Sequence, residues 1–142
     1  MKKTVILILL VALAVGGAVY YFSPSEEEEK VGSLVYKDLL QIDSPLANQE
    51  VTSPVRVSGQ ARGMWYFEAS FPAEVLDEDG TSLGITPIQA EGEWMTEEYV
   101  PFSAEISFDK PKGETGIIIF HKDNPSGLPE NEDSVRVPVR FK

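Results

Sequence analysis

The sequence predicts an all-β body, an antiparallel β-sandwich of about seven strands, preceded by one N-terminal transmembrane helix. Three observations lead there. Beyond residue 36, apolar and polar residues alternate in short runs, the period of strands with one buried face. Turn chemistry interrupts those runs roughly every 8–12 residues, the spacing of a sandwich or barrel. No apolar stripe at helical spacing exceeds about two turns in this part of the chain, whereas residues 4–22 form one unbroken uncharged stretch.

The elements follow in order. Thr4 to Phe22, nineteen residues behind Lys2 and Lys3, would span roughly 28 Å as a helix, close to the thickness of a bilayer core. Tyr20 and Tyr21 stand where aromatic rings favour the interface. Lysines before the stretch and Glu26 to Glu29 after it predict a single-pass protein with a cytoplasmic N-terminus and an extracytoplasmic body. The alternative is a cleaved signal peptide, cut after Ala18 at the small residues Gly16-Gly17-Ala18 and releasing a secreted body. Against cleavage, Val19 to Phe22 would leave an apolar new terminus. Residues 1–22 are therefore expected as membrane anchor or signal segment and 23–36 as an acidic linker, solvated because its four consecutive glutamates repel one another. Residues 37–142 are expected as the sandwich.

Within the body, Leu39 to Ile42 reads as a strand ending at Asp43-Ser44-Pro45. Val55, Val57, Gly59 and Ala61 share one face of the next. Trp65 to Phe71 alternates, with Trp65, Phe67, Ala69 and Phe71 expected together and Tyr66, Glu68 and Ser70 opposite. Ala73 to Leu76 and Thr81 to Ile88 flank Asp77-Glu78-Asp79-Gly80, a hairpin signal because glycine supplies the positive φ of a tight turn. Ala104 to Phe108 alternates, and the continuously apolar Gly116 to Phe120 suits a central strand. Val135 to Phe141 is the last strand, valines inward and arginines outward. Pro138, expected inward with the valines, lacks an N–H and predicts an edge position or a local irregularity. Seven or so strands in this length suit an immunoglobulin-like sandwich; periodicity alone leaves a barrel open.

Charge and composition exclude function classes. The net charge is -11; with Lys2 and Lys3 set aside, 10 basic residues face 23 acidic ones, a balance of -13. So acidic a body repels nucleic-acid phosphates, and no basic stripe offsets this, so no nucleic acid is expected as a partner. There is no cysteine, which removes disulfides, thiolate metal sites, cysteine nucleophiles and a lipidated cysteine anchor.

Several segments in order resemble a known family: Ser44-Pro45, Val57-Ser58-Gly59, Ala61-Arg62-Gly63, Trp65 to Ala69, Asp79-Gly80, Gly92-Glu93-Trp94-Met95, Pro101 to Ala104, and Lys122 to Pro129. Together they cover nearly all of residues 37–142. The body resembles the immunoglobulin-like domain of bacterial spore germination proteins. That resemblance implies an extracytoplasmic sandwich anchored at the cell surface; it implies no enzymatic activity and no ligand.

His121 is the single histidine, and Ser126-Gly127 lacks the setting of a nucleophile elbow, so no catalytic residue is expected. Asp77, Glu78 and Asp79, or Asp123, Glu130, Glu132 and Asp133, carry the hard oxygens calcium prefers, but Asp-Gly also simply turns the chain. No metal and no cofactor is therefore expected. At least one of Trp65 and Trp94 is expected in the core. The mostly polar Glu91 to Val100 makes Trp94 and Tyr99 candidates for an exposed surface that binds a protein or stacks on a sugar. Asn124, Ser126 and Leu128, in a loop stiffened by Pro125 and Pro129, complete the candidate partner-binding set. The expectation is a non-catalytic module that holds the membrane by its N-terminal helix and binds an envelope protein. Cell-wall glycan or peptidoglycan is the alternative ligand.

Overall fold

The computed structural model describes residues 32–142, so the expected membrane segment 1–22 and linker residues 23–31 lie outside the described residues. Among the described residues no helix is long and apolar enough to cross a membrane. The described residues are all-β, with nine strands: β1 (Leu34–Tyr36), β2 (Leu40–Ser44), β3 (Glu50–Val51), β4 (Val55–Arg62), β5 (Ser70–Asp77), β6 (Ser82–Gln89), β7 (Tyr99–Ile106), β8 (Thr115–His121) and β9 (Ser134–Phe141). One sheet runs β1-β2-β4-β7 and the other β3-β9-β8-β5-β6. Seven of these coincide with runs read from the sequence; the other two, β1 and β3, are only three and two residues long. β1 lies in the segment assigned from sequence to the linker; Leu34 and Tyr36 are drawn in because both pack against the core.

Alternation explains the strands that sequence reading found. β4 buries Val55, Val57, Gly59 and Ala61 and leaves the residues between them partly or fully exposed. β8, the apolar run, is the middle strand of the five-stranded sheet. β5 and β6 form the expected hairpin, with Gly80 at φ +85 in its turn and a bulge at Val75/Leu76. β7 begins at Tyr99, five residues before the run read from sequence. Every strand pair is antiparallel but one: β3 runs parallel to β9, Glu50 beside Arg140 and Val51 beside Phe141.

Pro138 is a correction. It is exposed alongside Arg136 and Arg140, while Val135, Val137 and Val139 are buried. Its carbonyl accepts a hydrogen bond from the Asn48 N–H at 2.7 Å, on the side away from β8. A strand residue's N–H and C=O point to the same side, so the missing N–H falls on that outer edge and costs the β8–β9 ladder nothing.

The core lies between the sheets. Phe71, Phe102 and Phe120 meet there in a chain of rings at 5.2 and 6.2 Å between centroids, with Tyr66 5.2 Å from Phe71. Such pairs add about 0.5–1.5 kcal/mol each beyond the area they bury. Along one side the sheets are stitched together. Ala90 bridges Phe102, the Glu91 N–H donates to the Pro101 carbonyl at 2.8 Å, and the Asp109 N–H donates to the Leu83 carbonyl at 2.9 Å. The barrel alternative is thus realised only at the β6–β7 seam, where the edges of those two long strands are bridged near both ends. The remaining edge strands, β1 and β3, are short, which limits edge-to-edge association.

Trp65 to Phe71 is a second correction. It is not one strand: Gly63–Trp65 form a 3-10 turn, and the chain reverses at Glu68 and Ala69. Phe67 and Ser70 exchange backbone hydrogen bonds at 2.9 and 3.1 Å across that corner. Glu68 and Ala69 both have positive φ, 49 and 64, a geometry usually given to Asn-Gly. The reversal breaks the expected alternation. Trp65, Tyr66 and Phe71 are all buried, while Phe67 is exposed.

Candidate functional site

Strand directions gather four connections at one end of the sandwich: the β1–β2 turn, the β4–β5 loop, the β6–β7 loop and the β8–β9 loop. Long-range contacts lock them together. The Asp123 N–H donates to the Trp65 carbonyl at 3.0 Å, and the Gly63 N–H to the Glu98 carbonyl at 3.2 Å. Gly63 has to be glycine for the β6–β7 loop to lie where it does, since a Cβ there would fall 1.9 Å from the Thr96 carbonyl oxygen and 2.3 Å from that of Trp94. Trp65 fills the floor of this end at 0% exposure, with the ring of Tyr36 edge-on at 6.3 Å. Beside it the Tyr66 hydroxyl donates to the Val100 carbonyl at 2.8 Å. Burial raises the pKa of that hydroxyl well above its usual value.

The five residues singled out from sequence all lie at this end, in different states. Tyr99 opens β7 opposite Arg62. The Arg62 guanidinium carbon lies 3.9 Å from the Tyr99 ring centroid and covers that face. The Tyr99 hydroxyl donates to Asp38 Oδ1 at 2.8 Å, and Arg62 donates to Asp38 Oδ2 at 2.9 Å. The Tyr99 and Arg62 hydrogen bonds hold the Asp38 carboxyl below the usual carboxylate range. Tyr99 is thus spent on a local clamp. Trp94 is half-buried, its ring T-shaped against Phe67 at 6.4 Å.

Asn124 and Ser126 build the β8–β9 loop. The Asn124 amide donates to the Leu128 carbonyl at 2.9 Å, the Ser126 hydroxyl donates to Asn124 Oδ1, and the Leu128 N–H donates to the Ser126 hydroxyl at 3.2 Å. That scaffold leaves the Leu128 side chain exposed. The exposed large hydrophobic residues of the described chain are Val35, Met64, Phe67, Ile85, Met95 and Leu128, and four of these six stand at the loop end. Met64, Phe67 and Met95 were not singled out from sequence. Met64 separates two hollows. One, about 280 Å³, lies against Asp38, Arg62 and Glu97; the other, about 250 Å³, lies against Phe67, Asn124 and Ser126.

Two of the acidic residues that could suit calcium, Asp77 and Asp133, are engaged within the fold. Asp77 is buried, and its carboxylate accepts from the backbone amides of Lys112 at 2.8 Å, Glu78 at 2.9 Å and Gly113 at 3.1 Å. Those amides, Lys112 foremost, hold its pKa below the ordinary value, against the opposing effect of burial. Asp133 accepts from the Tyr36 hydroxyl at 2.8 Å and from Lys37 at 3.4 Å. Burial opposes ionisation of Asp133, but the Tyr36 hydroxyl, the Ser134 amide and Lys37 together hold its pKa down. Among the described residues no group of three or more His, Asp or Glu is arranged to hold a metal. His121 Nε2 lies 3.3 Å from Glu74 Oε2, beside a hollow of about 750 Å³ on the outer face of the five-stranded sheet. The serine weighed with it, Ser126, is engaged with Asn124 instead.

Comparison with known proteins agrees with this architecture. Neither curated proteins nor solved structures give a match to the chain. A family model described as the immunoglobulin-like domain of bacterial spore germination (Gmad2) matches residues 39–127, more than half of the chain, running from the start of β2 into the β8–β9 loop. The chain therefore belongs to the family of immunoglobulin-like domains of bacterial spore germination, a non-catalytic type of domain.

Proposed function

We propose that this protein is a non-catalytic, membrane-anchored module of the bacterial envelope that docks a partner protein through its loop end. The observation that carries the reading is the gathering of Met64, Phe67, Met95 and Leu128, exposed, on loops that are otherwise tightly cross-bonded. Exposed apolar groups on a rigid support are what a docking surface needs, and here their exposure contributes nothing to the core. The described chain enters β1 travelling toward the loop end, with Gly32 beside Leu46 at the opposite end of the body. With residues 1–22 as a retained anchor, the body is tethered at the end opposite these loops.

The glycan alternative is weaker. Stacking on sugar rings needs free aromatic faces. Arg62 covers one face of Tyr99, and Trp94 is half-buried beside Phe67.

The test is a photo-crosslinking amino acid placed at Met95 in the full chain in cells, with Ser107 at the opposite end as control. The expected result is one defined envelope protein captured from Met95 and not from Ser107. Equal capture from both positions, or capture of none, would contradict the reading. Retention on insoluble cell-wall glycan that is lost in Trp94→Ala would favour the alternative. Full-length mass in the membrane fraction is expected; loss of residues 1–18 would establish cleavage instead.

A further inference from the structure

Resting on the reading that the loop end docks a protein, we infer that the segment it accepts is cationic and amphipathic, apolar side chains on one face and lysine or arginine around them. Two features of this end point the same way. The first is the kind of apolar group exposed: Met64 is 60% exposed and Met95 73%, and these are the only methionines of the body. Methionine is unbranched and polarizable and adapts its shape to an irregular apolar partner face, while Phe67 and Leu128 supply stiffer neighbours. The hollows on either side of Met64 give such side chains a place to enter.

The second feature is charge. Exposed glutamates lie within four residues along the chain of these apolar groups: Glu68 beside Phe67, Glu93, Glu97 and Glu98 around Met95, Glu130 and Glu132 beyond Leu128. The cations at this end are Lys37, Arg62 and Lys122, and two of them already face carboxylates of the same end, Lys37 at Asp133 and Arg62 at Asp38 and Glu98. The excess is therefore negative immediately around the apolar groups. An acidic partner, an anionic lipid surface or a second copy of this chain would meet like charge there, whereas a basic amphipathic segment would pair with the rim while burying its apolar face.

The experiment uses the full chain in discs of zwitterionic phospholipid, with empty discs as the lipid blank. The probes are two fluorescent helical peptides, one of leucine and lysine at helical spacing and one of leucine and glutamate. The leucine–lysine peptide is expected to bind protein-bearing discs above the blank, and the leucine–glutamate peptide not to. Binding should weaken about tenfold in the double variant Met64→Gln/Met95→Gln, the loss of a hot spot. It should also weaken as salt rises from about 0.1 M to about 1 M, which contracts the screening length from about 10 Å to about 3 Å. Equal binding of both peptides, binding no greater than to empty discs, or indifference to the double variant would each overturn the inference. Capture of a protein from Met95 in cells without leucine–lysine binding would remove the cationic partner and leave protein docking intact. Absence of both would remove the two readings together.

Discussion

The two ends of the sandwich solve the same problem, that of closing connections between strands, in opposite ways. At the β5–β6 hairpin end, one buried carboxylate gathers the chain: Asp77 accepts three backbone amides from two loops, and Gly80 turns the chain beside it. Polar needs are met locally, and no large hydrophobic residue is left exposed on those loops. At the other end the loops are held by each other and by a buried floor of Trp65 and Tyr66, and Met64, Phe67, Met95 and Leu128 stand above that floor exposed to water, Phe67 with its ring against Trp94. One end is finished by folding; the other is built to a shape and left with apolar groups facing water. That difference is the physical basis for assigning binding to the loop end.

The contrast can be broken by separating floor from surface. The largest effect should come from Trp65→Ala, which empties the floor and should cost about 3–5 kcal/mol in denaturant or thermal unfolding. A loss no larger than that of an exposed residue would mean the loops stand without it. Asp77→Asn comes next and tests the other end. Its folded pKa lies below the ordinary 3.8, so its stabilising effect is complete above that value and is lost as pH falls through the lower folded value. Wild-type stability should therefore fall on acidification below about pH 4, and the variant should start lower and show a shallower fall. An identical acid profile in both would remove Asp77 as the organiser of that end.

Tyr66→Phe should cost about 0.5–1.5 kcal/mol, the net worth of one hydrogen bond, because the Val100 carbonyl keeps its place in the β4–β7 ladder. The smallest effects are the most telling. Met64→Gln and Met95→Gln should each shift stability by less than about 0.5 kcal/mol, the ordinary range for surface positions. A large loss from either would place these side chains in the fold.

Much of this could be read in the sequence, and the failures have definite causes. Strict alternation marked β4, Asp-Gly marked the β5–β6 turn, and an unbroken apolar run marked β8 as central. Trp65 to Phe71 misled because its alternation is genuine but its chain reverses at Glu68 and Ala69, residues that carry no glycine or asparagine signal for positive φ. Once that corner is missed, Phe67 is counted as core and its exposure cannot be seen. Placing Tyr99 under Arg62 needed the β4–β7 register, which no local pattern supplies. Trp94, Tyr99, Asn124, Ser126 and Leu128 do share one end, yet the division between scaffold and exposed surface became visible only with the hydrogen bonds of the β8–β9 loop and the ring contacts of the β6–β7 loop.

The central claim, that the loop end is a surface for a partner and not part of the fold's stability, is tested most directly by one paired measurement on Met64→Gln/Met95→Gln. Partner capture in cells from a photo-crosslinker at Leu128 is compared with the unfolding midpoint of the same protein. The account predicts capture reduced about tenfold, the mark of a lost hot spot, with the midpoint essentially unmoved. Undiminished capture, or capture lost only together with a large fall in stability, would contradict it.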